Sequence, residues 1–170
     1  DLSTKISDKK YTYKVTKAGS TDGKTVGELQ ITGLKKKSLK AVKVAATVTI
    51  DGVKYNVTSV AKNAFKKNAK ITKATIGKNV KTIGNNAFAN CKKLKTVVIN
   101  AKGLKKIGKK AFFGDKKLKK VTLKSTKLKK IGSKAFYRKG GKKLIVKVPK
   151  KKKKAYKKLL KKAKTNKYVV

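Results

Sequence analysis

Apolar residues recur along this chain every 23 or 24 positions, and polar residues, most of them lysine, fill the space between. One phrase reads Val80, Ile83, Gly84, Ala87-Phe88. It returns downstream as Leu104, Ile107, Gly108, Ala111-Phe112 and as Leu128, Ile131, Gly132, Ala135-Phe136, and upstream as Val57, Val60, Ala61, Ala64-Phe65. The Ala-Phe pairs fall 23, 24 and 24 residues apart, too close for successive domains and suited to single coils of a solenoid.

A second phrase with the same period lies between the copies of the first. Ile71, Ala74 and Ile76 share their spacing with Leu94, Val97 and Ile99, with Leu118, Val121 and Leu123, and with Leu39, Val42 and Val44; a shortened copy holds Leu144, Val146 and Val148. The closing apolar positions alternate with outward ones, the mark of a short strand with one buried side. Each coil therefore predicts a strand, a crossing and a helical or irregular return segment that ends in Ala-Phe. No coil can bury its own apolar edge, so neighbours must stack. The expected fold is a β-rich solenoid of about five short parallel strands, with Phe65, Phe88, Phe112 and Phe136 aligned as an aromatic spine. Gly84, Gly108 and Gly132 suit a tight bend into the Ala-Phe turn.

The flanks break the period. Residues 1–38 alternate as strands at 11–15 and 28–31 around a turn at 18–23, which predicts a small β cap over the first coil. The repeats occupy residues 39–148, and their first coil is long, 32 residues from Leu39 to Ile71. Asp51-Gly52 between two alternating runs places an inserted hairpin at 46–57 in that coil, extending the cap. Residues 149–170 predict a capping helix and tail. A lysine-dominated helix over 150–164 follows Pro149 and carries the stripe Ala155, Tyr156, Leu159, Leu160, Ala163, fit to cover the open end of the stack or to lie on an anionic membrane. Tyr168-Val169-Val170 adds a strand or frays.

The alternation of L-x-x-V-x-I with V-x-x-I-G-x-x-A-F-x-x-C resembles the BspA-type leucine-rich repeat of bacterial surface proteins. The resemblance covers residues 39–148. It implies a leucine-rich-repeat solenoid on a secreted or wall-attached protein, usually serving adhesion or ligand binding, with no shared catalytic residues. Cys91 stands at the cysteine of that pattern, where the other copies have Asn68, Asp115 and Lys139, so it reads as a packing position.

Charge changes the picture of the surface. Lysine and arginine number 52 against six acids, a formal +46, and Arg138 is the sole arginine. Histidine is absent, and Asp1, Asp8, Asp22, Glu28, Asp51 and Asp115 occupy unmatched positions. A carboxylate pair, a zinc site and a Ser-His-Asp triad all lack their parts, so no catalytic residue, metal or cofactor is expected and the chain does not read as an enzyme. One cysteine forms no internal disulfide, and no apolar run approaches the 18 or so residues of a membrane span. The start at Asp1, without a charged-then-apolar leader, suggests a processed chain or an excised module.

The face expected to bind is the strand ladder, whose outward residues recur in columns. One holds Lys40, Thr72, Lys95 and Lys119; the next Ala41, Lys73, Thr96 and Lys120; the third Lys43, Thr75, Val98, Thr122 and Lys147. The ligand-binding residues expected there are Lys43, Lys73, Thr75, Lys95, Thr96, Lys119, Lys120, Thr122 and Lys147. Rows of ammonium and hydroxyl groups suit an anionic polymer, and with the resemblance this implies an extracellular, cell-surface or cell-wall module, monomeric, that holds teichoic acid, glycosaminoglycan or a host protein. The alternative is non-specific nucleic-acid binding, which so basic a chain would show at low salt. Against a dedicated role there stand the lack of arginine forks for guanine and of exposed aromatic stacking motifs.

Overall fold

Alternation of apolar and polar residues becomes strand wherever it occurs in this chain. The computed structural model describes residues 4–170. The N-terminal part holds β1 (Lys5–Ser7), β2 (Tyr11–Lys17) and β3 (Gly27–Leu34), followed by β4 (Ala41–Val44), β5 (Thr47–Ile50) and β6 (Val53–Val60). The coils continue through β7 (Lys73–Ile76), β8 (Thr82–Ile83), β9 (Thr96–Ile99), β10 (Lys106–Ile107), β11 (Lys120–Leu123) and β12 (Lys130–Ile131). β13 (Leu144–Lys147), α1 (Lys153–Lys162) and β14 (Tyr168–Val169) complete them.

The structure is a solenoid with two ladders. The first is a six-stranded parallel sheet in the order β14-β13-β11-β9-β7-β4, in which Val44, Ile76, Ile99 and Leu123 are register partners. It contains the five expected strands, and the C-terminal Tyr168-Val169 adds a sixth against β13. The return segments are irregular, yet they form a second parallel ladder through β6, β8, β10 and β12, whose partners are Val60, Ile83, Ile107 and Ile131. Both ladders turn alternate apolar residues into one continuous core, while Val98 and Ile145 face outward.

The Ala-Phe turns link the ladders and stack as expected. Ring centroids of Phe65, Phe88, Phe112 and Phe136 are 5.0, 5.2 and 5.1 Å apart in succession, with the last two steps within 3° of parallel. All four rings are buried, each contributing about 1.5–3 kcal/mol of transfer free energy. The glycines after the buried isoleucine serve closeness, in place of the bend expected of them. A Cβ on Gly84 would meet Lys62 N at 2.5 Å, and one on Gly108 would meet Asn85 N at 2.6 Å, so the slot must be bare for each coil to settle on the one before. Ala61 fits in the first coil because its N–H bonds Ile31 of the cap instead of an earlier Ala-Phe coil.

The cap pairs β1, β2 and β3 antiparallel, and β3 then runs parallel to β6. The hairpin of β5 and β6 turns at Asp51 and Gly52, both left-handed with φ of 50° and 77°. β6 is thus both an arm of that hairpin and the first rung of the return ladder. At the far end a 3-10 turn over Lys150–Lys152 precedes α1, which is shorter than the 150–164 expected. Tyr156, Leu160 and Ala163 are buried against the last coil and Leu159 is half-buried. Ala155, expected in the stripe, is exposed, because it lies off the face that Tyr156 fixes. The Tyr156 hydroxyl donates to Ser125 O at 2.7 Å and accepts the Leu128 N–H at 3.1 Å. The apolar face is spent on the solenoid, which leaves the membrane use of this helix without its anchor.

Candidate functional site

The expected binding face is assembled from outward residues of the six-stranded ladder, and register decides which of them meet. Ala41, Lys73, Thr96 and Lys120 are successive partners, with Ile145 next in the same column. Lys43, Thr75, Val98, Thr122 and Lys147 form the adjacent column. Lys95 and Lys119 sit one residue ahead of their strands, where the Lys119 N–H bonds Lys95 O at 2.9 Å. Seven of the nine expected residues therefore alternate with the buried ones on the outward side of the ladder, while Lys95 and Lys119 stand ahead of their strands at its edge. The lysines Lys43, Lys73, Lys95, Lys119, Lys120 and Lys147 are exposed; Thr75, Thr96 and Thr122 are half-buried between them.

This face can offer charge and hydrogen-bond donors, and little else. Threonine hydroxyls and Val98 make a flat centre with ammoniums around it, while Ile145 remains 50% exposed at the C-terminal end of its column. Partner strands lie about 4.8 Å apart, so each column presents one side chain at that interval.

The other chemically notable side chains are inside. Cys91 is buried, donates its S–H to Phe65 O at 3.2 Å, and has its pKa pushed up by burial, then by Asp115. It is a packing residue with no thiolate to offer. Asp115 fills the equivalent slot one coil later, where its Oδ1 accepts the Cys91 N–H at 2.7 Å. Burial drives its pKa well above the usual carboxylate range, against the opposing pull of that hydrogen bond and of Arg138.

Arg138 is buried too, and its role was not visible in the sequence. Its guanidinium donates to Phe136 O at 2.8 Å, Lys142 O at 2.7 Å, Asn166 O and Lys167 O, tying the C-terminal segment to the last coil. The sole arginine is thereby withheld from any ligand. Phe113 and Tyr137, both half-buried, stack at 6.1 Å, and Lys110 and Lys134 each lie over one of the rings. Among the described residues no group of three or more His, Cys, Asp or Glu is placed to hold a metal, and no helix is long and apolar enough to cross a membrane.

A family model of the BspA type leucine rich repeat region matches residues 35–165 in 6 copies. The chain belongs to the BspA-type leucine-rich repeat family. No curated protein matches it. Among solved structures, a leucine-rich repeat protein from Bacteroides capillosus superposes with a TM-score of 0.68 at 23% identity, over 85% of this chain and 98% of that one. One from Bacteroides ovatus gives 0.64 at 30% identity over 86% of this chain, and a leucine rich cell surface protein from Faecalibacterium prausnitzii gives 0.55 at 23% over 88%. The BspA-type chain spans 37% and 44% of the length of those two proteins.

Proposed function

We propose that this chain is a non-catalytic, extracellular module of a bacterial surface protein, and that it holds anionic polymers of the wall or of a host through the lysine and threonine columns of the six-stranded ladder. The observation that supports this most is the in-register stacking of Lys73, Thr96 and Lys120 beside Thr75, Thr122 and Lys147. A polymer that repeats its charge along its length would meet ammoniums on alternate coils, at Lys73 and Lys120, with the Thr96 hydroxyl between them. Family membership and the likeness to a cell-surface protein support the location, and the lack of any histidine or paired carboxylate supports a role without catalysis. Nucleic acid would contact so basic a surface at low salt, but the burial of Arg138 and the lysine-covered Phe113 and Tyr137 give it neither guanidinium forks nor free rings to stack on.

Co-sedimentation with purified cell wall tests the reading. The chain should be retained by wall that carries its anionic polymer and released when that polymer has been stripped. Equal retention on both preparations would eliminate wall association through charge.

A further inference from the structure

A second concentration of lysine lies where the return ladder meets α1. Lys106 and Lys130 are register partners on β10 and β12, and they converge with Lys109, Lys129 and Lys162 of α1 around a cleft of about 560 Å³. That volume is inside the range of small-ligand sites, about 300–1,000 Å³. No carboxylate lines it. Ile131 and Gly132, both buried, and half-buried Leu159 make its apolar floor, which focuses the field of the five ammoniums instead of dispersing it into water.

The remaining polar groups of the cleft also favour an acceptor-rich guest. Asn85 Oδ1 accepts the Lys109 N–H at 2.8 Å, which fixes the side chain and leaves its amide N–H groups for a ligand. Ser133 adds an exposed hydroxyl at the wall. Lysine ammoniums bind phosphate as point charges, and phosphate presents several acceptor oxygens and high charge density to them. The two ladders flank one core, so this cleft lies across the molecule from the strand columns.

We propose that the cleft between α1 and the return ladder is a separate anion site that binds a short run of linked phosphates. It is independent of the strand face, and one oligophosphate fills it per chain.

Calorimetric titration of the full chain with inorganic tripolyphosphate, at about 0.15 M salt to screen diffuse contacts, tests this. The expected stoichiometry is one to one. The triple variant Lys106→Ser/Lys130→Ser/Lys162→Ser should lose about tenfold or more in affinity, which corresponds to the removal of specific charged contacts. The control Lys9→Ser/Lys37→Ser/Lys54→Ser removes the same charge from exposed positions in the N-terminal part of the chain, away from both faces, and should stay within about twofold of the parent. Equal weakening in the two triples, or several anions bound per chain, would overturn the proposal. Because tripolyphosphate is titrated in the absence of wall, failure of the wall experiment leaves this result readable, and the reverse also holds.

Discussion

Asp115 is a carboxylate set among apolar side chains, with Oδ1 on the Cys91 N–H and Oδ2 facing no donor. Desolvation raises its pKa in the fold, so between the unfolded value and the native one the native chain holds a proton that the unfolded chain has released. Its contribution to stability is therefore full below about pH 4, the unfolded value, and is lost as pH rises toward the native one. Asp115→Asn keeps the acceptor for Cys91 and removes the ionisation. Its melting temperature should exceed the parent's at pH 7, with the difference closing toward pH 4; a difference constant with pH would show that Asp115 does not titrate in this way. Lys67 illustrates a different residue-level cost, since it holds φ of 62° in the slot where Asn90 and Gly114 also turn left-handed. Asparagine tolerates that region better than lysine, and Lys67→Asn should raise unfolding free energy by up to about 1 kcal/mol in a denaturant titration.

At the level of elements, the Ala-Phe turns carry the stack. Phe112 contacts a ring on either side, so Phe112→Ala opens a cavity between two coils and should cost about 3–5 kcal/mol, measured by chemical denaturation. A loss below about 1 kcal/mol would mean that the spine is not what joins neighbouring coils. The spine was legible in the sequence because Ala-Phe recurs at a fixed interval, and the strand columns followed from the same interval. The return ladder was not, since each of β8, β10 and β12 has two residues and buries a single isoleucine, too short a run for alternation to register. Arg138 was hidden for another reason. A lone arginine reads as surface, and two of the four carbonyls that claim it, at residues 166 and 167, are distant in sequence and approach only when the tail docks on the last coil. The lysine cleft depends on the same docking, because Lys162 joins Lys106 and Lys130 only once α1 has found its place.

For the whole molecule, charge and shape oppose each other. A formal +46 must weaken the fold by self-repulsion, and each pair of ammoniums about 7 Å apart in water contributes roughly 0.6 kcal/mol before screening. The melting temperature should climb as salt is raised from about 0.01 M to about 0.5 M, where the screening length falls well below the spacing of distant lysines. A flat profile would count against repulsion as the main cost. The rod also grows by whole units. Backbone partners of each central coil are those of the coil before and the coil after, so a 24-residue segment such as 94–117 is self-contained in what it asks of its neighbours. Duplicating that stretch in the gene would insert a spacer about 4.8 Å thick, lengthen the reach of the protein by one step, and leave both end caps docked as they were.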